Sequence, residues 1–165
     1  MHRLFDGHRE LDVWPFELLL GSDDVLPDCF EAGRFRGRYR WPRLGAYLKH
    51  EYGAELFNRI ADSELKDVLA GGSKHAAFPV PVSLDEWRSE VARRWSGAEK
   101  TQAAFLSIYV RTFFELWKPN APHRSRVLGH CPVGVLDAPE VWRDFPDAQI
   151  VHVVRNPLSG FAGMR

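Results

Sequence analysis

Phe145-Pro146-Asp147-Ala148-Gln149-Ile150-Val151-His152-Val153-Val154-Arg155-Asn156-Pro157-Leu158-Ser159 joins the clearest strand of the chain to a helix start. Gln149 to Val154 is β-branched and apolar with one His, the composition of a strand in a sheet. Asn156-Pro157 then opens a helix, Asn as its cap and Pro at the first helical position, where the missing N–H is no loss. Working back, Val133 to Arg143 suits a helix and Arg126 to Leu128 a short strand leading into Gly129-His130-Cys131-Pro132. Strand, helix, strand, helix from Arg126 onward predicts a parallel sheet, because parallel strands need a crossover between them. Ligands gather at the carboxyl ends of strands in such a sheet. Arg155 falls at that end. The helix after it presents free N–H groups and a partial positive charge, so an Arg fork there suits a phosphate or sulfate. Ser159, in the first turn, adds a hydroxyl donor. The competing reading has Arg155 capping a neighbouring helix or pairing with a surface Asp, and spacing alone does not choose between them.

Upstream of this segment the pattern is mostly helical. Met1 to Gly7 reads as the last turns of a helix stopped by Gly7, and Leu11 to Phe16 as a short strand that Pro15 confines to an edge or an end. Val25, Leu26, Cys29 and Phe30 suit a short helix between Asp23 and Gly33. Leu48, Tyr52, Leu56 and Ile60 recur every four residues and predict a helix ending near Asp62. Ser83-Leu84-Asp85-Glu86 is a capping box opening a helix through about Trp95. Ala103, Leu106, Val110, Phe113 and Trp117 form the strongest apolar stripe, closed by Pro119. The fold class expected is therefore α/β: a partial parallel sheet flanked by helices, with a long helical insertion. One domain spans residues 1–165. Both ends fall inside secondary-structure elements, so the expectation is a fragment.

Composition narrows the function classes. A chain of 165 residues with 45% hydrophobic and 27% charged residues folds as one domain rather than remaining disordered. Lys plus Arg equal Asp plus Glu at 22 each, which leaves no surplus of cations for general nucleic-acid binding. Cys29 and Cys131 stand far apart without a CxxC, and no His pattern suggests a metal site. No run approaches the ~18 apolar residues of a membrane span, and the opening residues are not a signal peptide. A cytoplasmic protein without nucleic-acid or membrane partners is expected. Arg34 to Arg43 carries five cations interleaved with Phe35, Tyr39 and Trp41. It reads first as a solvated loop with Arg stems over aromatic rings, second as a surface for an anionic acceptor, and third as a nucleic-acid contact.

Phe145-Pro-Asp-Ala, the Val-rich strand and Val154-Arg155-Asn156-Pro157 together resemble the 3′-phosphate-binding motif of the sulfotransferases. That family uses 3′-phosphoadenosine-5′-phosphosulfate (PAPS) as donor. Leu4-Phe5-Asp6-Gly7-His8-Arg9-Glu10-Leu11 resembles the end of the family's first helix, and Pro15-Phe16-Glu17 its next strand end. The resemblance spans nearly the whole chain in the right order. It implies a P-loop nucleotide-binding architecture and transfer of a sulfuryl group from PAPS to a hydroxyl or amine, with no metal. By the same resemblance Arg155 and Ser159 would hold the 3′-phosphate and Glu17 would be the catalytic base. Residues 23–117 would face a small-molecule or glycan acceptor, and residues 124–165 would carry the nucleotide motif.

The chain also departs from that pattern. The Gly- and Ser/Thr-rich loop that wraps the 5′-phosphosulfate would precede Met1, and the family's C-terminal region would follow Arg165. Gly163 stands where the family places a Ser, which leaves Ser159 one turn nearer. His130-Cys131-Pro132 replaces a Lys followed by Ser or Thr and Pro. A base at Glu17 must also be shielded from solvent to act near neutral pH, and a solvated Glu at a strand end is the competing reading. The isolated chain is accordingly expected to be inactive. The alternative is a non-catalytic α/β remnant or interaction module. In the implied sheet a central strand is missing, so the strand near Leu128 and the strand Ile150 to Val154 should pair directly or drive self-association through exposed edges.

Overall fold

A computed structural model describes residues 5, 7–18, 20, 41–61, 65, 66, 69, 80–122, 124–131 and 137–153. Phe5 is helical and Gly7 takes φ +82°, where a side chain would be strained, so the chain turns here into its first strand. Strand β1 (Leu11–Glu17) pairs in parallel with β2 (Arg126–His130), with Leu11 opposite Arg126 and Val13 opposite Leu128. The register slips between Val13 and Glu17. Pro15 sits in the middle of that slip, and its missing N–H cannot continue the ladder.

Four helices accompany the sheet among the described residues: α1 (Gly53–Ile60), α2 (Leu84–Ser96), α3 (Gln102–Trp117) and α4 (Ala138–Asp144). Three of these starts have a local cause. The Ser83 hydroxyl accepts the Glu86 N–H at 3.4 Å to open α2, and the Thr101 hydroxyl accepts the Ala104 N–H at 3.2 Å to open α3. Pro139 lies in the first turn of α4. Helix α1 starts later than the four-residue spacing predicts. Leu48 lies in a turn before it, although buried, and Tyr52 is its N-cap, 78% exposed.

The core lies between β1 and the helices. Alternation along β1 buries Trp14 and Phe16. The Trp14 ring meets Phe113 at 4.5 Å and Trp87 at 6.2 Å between centroids. Trp87 in turn packs on Tyr109 at 4.3 Å and Phe57 at 4.8 Å, and its indole N–H donates to the Tyr109 carbonyl at 2.9 Å. The buried stripe of α3 is Phe105, Leu106, Tyr109, Thr112, Phe113 and Phe114. It is rotated from the predicted one. Leu106 and Phe113 belong to both, but Ala103, Val110 and Trp117 are only partly buried.

The architecture is α/β with a small parallel sheet, and the expected strand at Gln149 needs correction. Among the described residues, Gln149–Val153 belong to no strand, and Val151 and Val153 are 82% and 56% exposed. Direct pairing of this segment with β2 does not occur. A strand composition cannot make a strand without a neighbour to take its backbone groups. Val154 and the helix start at Asn156 lie outside the described residues, as do Asp23 to Gly33.

Candidate functional site at the carboxyl edge of the sheet

Parallel pairing points the carboxyl ends of β1 and β2 the same way, so their last residues share one edge. Glu17 closes β1 and lies opposite His130, the last residue of β2, 113 positions away in sequence. The Leu18 N–H donates to the His130 carbonyl at 2.7 Å and ties the two strand ends together. Gly129 makes this approach possible: a Cβ there would overlap the Leu18 side chain. Cys131 follows, half-buried, just beyond β2. Glu17 itself is exposed. The shielding a base would need is therefore not supplied by its neighbours.

Of the predicted site residues, the structure positions Glu17; Arg155 and Ser159 lie outside the described residues. Gln149–Val153, the segment leading to Arg155, is described but unpaired. His130 is the residue that sequence reasoning left out of the site. The signal available was the two strands of similar composition ending at Glu17 and at Gly129-His130, but only their pairing brings the ends together.

A polar clamp holds the described start of the insertion against α4. The Asp137 carboxylate, buried, accepts the Trp41 N–H at 2.7 Å, and the Asp144 carboxylate accepts the Trp41 indole N–H at 2.6 Å and the Gln102 amide at 2.5 Å. At the opposite edge of the sheet Arg124 donates to the His8 and Leu11 carbonyls and lies 3.8 Å from Asp12. Its guanidinium is occupied in joining the chain to β1.

A second charged groove lies between α2 and α3, lined by Glu86, Glu90, Arg93, Arg94 and Glu115. Arg93 and Arg94 bind Glu90 at 2.6 and 2.8 Å, and Arg94 also binds Glu115 at 2.5 Å. The hydrogen bonds from Arg93 and then Arg94 hold the Glu90 carboxyl down at about 2. Both cations are neutralised by carboxylates, so the groove has no surplus positive charge for an anion.

Among the described residues no cluster of three or more His, Cys, Asp or Glu is placed to hold a metal ion. Among the same residues no helix is long and apolar enough to cross a membrane. Comparison with family models, with curated proteins and with solved structures finds no match to this chain.

Proposed function

We propose that this chain is a sulfotransferase-like domain whose nucleotide and acceptor meet at the carboxyl edge of the sheet. The observation that carries the reading is the parallel pairing of β1 with β2, which sets Glu17 beside His130 on the edge where ligands of such sheets bind. The motif Val154-Arg155-Asn156-Pro157 supplies the rest. Arg155 offers a planar fork to the 3′-phosphate of PAPS, and Ser159 one hydroxyl. In the transfer step the acceptor oxygen attacks sulfur while Glu17 takes its proton. The bond from sulfur to the 5′-phosphate oxygen breaks, and adenosine 3′,5′-bisphosphate leaves. Bound acceptor must exclude water from Glu17, which is exposed in the free chain.

The second reading, a non-catalytic α/β module, draws on the unpaired segment Gln149–Val153. Calorimetric titration with adenosine 3′,5′-bisphosphate and with adenosine 5′-monophosphate separates the two. The proposed function expects the bisphosphate to bind more tightly, with affinity falling as salt rises. Equal affinities, or no binding of either, would favour the non-catalytic module.

A further inference from the structure

We propose that copies of this chain join by strand addition, Gln149–Val153 of one copy lying along the outer edge of β2 in the next. The acceptor half follows from hydrogen-bond direction. The His130 carbonyl faces β1, since it accepts the Leu18 N–H. The N–H and C=O of a strand residue point to the same side and alternate along the strand, so Leu128 and Arg126 also face β1. Val127 and Gly129 therefore turn their backbone groups away from β1. Both are exposed, Val127 at 41%, and among the described residues no strand covers that edge.

The donor half is Gln149-Ile150-Val151-His152-Val153, with Val151 and Val153 projecting into solvent. It holds no Asp, Glu, Lys, Arg or Pro, the residues that ordinarily protect an unpaired strand. The segment is also held at its start, where the Trp142 indole N–H donates to the Ala148 carbonyl at 2.9 Å. Among the described residues, every copy carries both an edge lacking a strand and a strand-like segment lacking an edge. That complementarity selects a second copy as the occupant. Because donor and acceptor are different surfaces, the contact is head-to-tail and leaves one of each open after every addition.

Sedimentation velocity of the purified chain between about 1 and 200 µM, a range that brackets weak association, tests this directly. Wild type should grow from monomer to dimer and larger species as concentration rises. Val127→Pro removes an outward-facing N–H and leaves the ladder to β1 intact, so it blocks the acceptor alone. The double variant Val151→Lys, Val153→Lys blocks the donor alone. Each variant by itself should stay monomeric, whereas an equimolar mixture should form a one-to-one dimer, since each supplies the half the other lacks. If circular dichroism shows Val127→Pro to be unfolded, Val127→Lys takes its place, with the backbone unchanged and the edge guarded by charge. A wild type that stays monomeric throughout, a mixture that stays monomeric, or a dimer formed by the Val151→Lys, Val153→Lys variant alone would each overturn the proposal. The last of these would mean that β2 edges pair with one another.

Discussion

Pro15 and Gly129 shape the carboxyl edge by the groups they lack. Without an N–H at Pro15 the ladder slips, and without a Cβ at Gly129 the Leu18 side chain can lie over β2. At Arg155 the proposed role depends on a planar pair of donors, which an ammonium does not reproduce. Arg155→Lys should therefore weaken binding of adenosine 3′,5′-bisphosphate, while Ser159→Ala should cost less, about the 1.5–3 kcal/mol or below of a hydrogen bond to a charged group. Isothermal titration of the two variants checks the order, and a Ser159→Ala loss exceeding that of Arg155→Lys would reverse the assignment. Glu90 carries a different expectation. Its carboxyl sits at about 2 rather than its ordinary 4.5, chiefly through the hydrogen bond from Arg93 and next that from Arg94. A depressed folded value means the stabilisation is full above the ordinary value and disappears as pH falls through about 2. Glu90→Gln should flatten that acid limb in melting temperature against pH, by a small amount because the network lies at the surface. An unchanged limb would show that other carboxylates dominate it.

Helix α1 meets α2 at a contact only glycine permits. A Cβ on Gly53 would stand 2.6 Å from the Ala92 Cα and 3.0 Å from the Trp95 Cβ, and a backbone atom cannot swing aside. Gly53→Ala should destabilise the fold by about 1–3 kcal/mol, the usual cost of overpacking. The midpoint of urea denaturation measures it, and an unshifted midpoint would mean the helices can separate freely. The elements themselves were legible where their signals are local. The Ser83 arm of the capping box, the Pro119 stop and the strand around Trp14 depend on neighbours in sequence, and all three appear in the structure. Signals that depend on distant partners read less well. The Leu48–Ile60 spacing mixed a buried turn residue with an exposed cap, because burial of Leu48 comes from tertiary packing rather than from helical phase. The stripe on α3 turned toward Phe105, Tyr109 and Thr112, since the rings of Trp14 and Trp87 set which face is inside. Gln149–Val153 has the composition of a strand, but composition does not supply the neighbour that makes one. For the candidate site, Glu17 was suggested by the resemblance of Pro15-Phe16-Glu17 to a family strand end, whereas its juxtaposition with His130 required the pairing.

Among the described residues, one aromatic core joins β1 to α1, α2 and α3, and the carboxyl edge lies where β1 and β2 end. Trp14 is the centre of that core, in ring contact with Trp87, Tyr109, Phe113 and Phe114. Charge is arranged in keeping with that division. The Arg93 and Arg94 cations are neutralised by Glu90 and Glu115, and Arg124 is held by backbone carbonyls at the opposite edge. A nucleotide anion thus finds paired charge at both of those places. The most direct test of the central claim is amide chemical-shift mapping during titration with adenosine 3′,5′-bisphosphate. The carboxyl-edge assignment predicts that Glu17, Leu18, His130 and Cys131 shift together and that Arg155→Ala abolishes the response. Shifts centred instead on Leu11, Arg124 and Arg126 at the opposite edge, or on the Glu90–Arg94 groove, would contradict it.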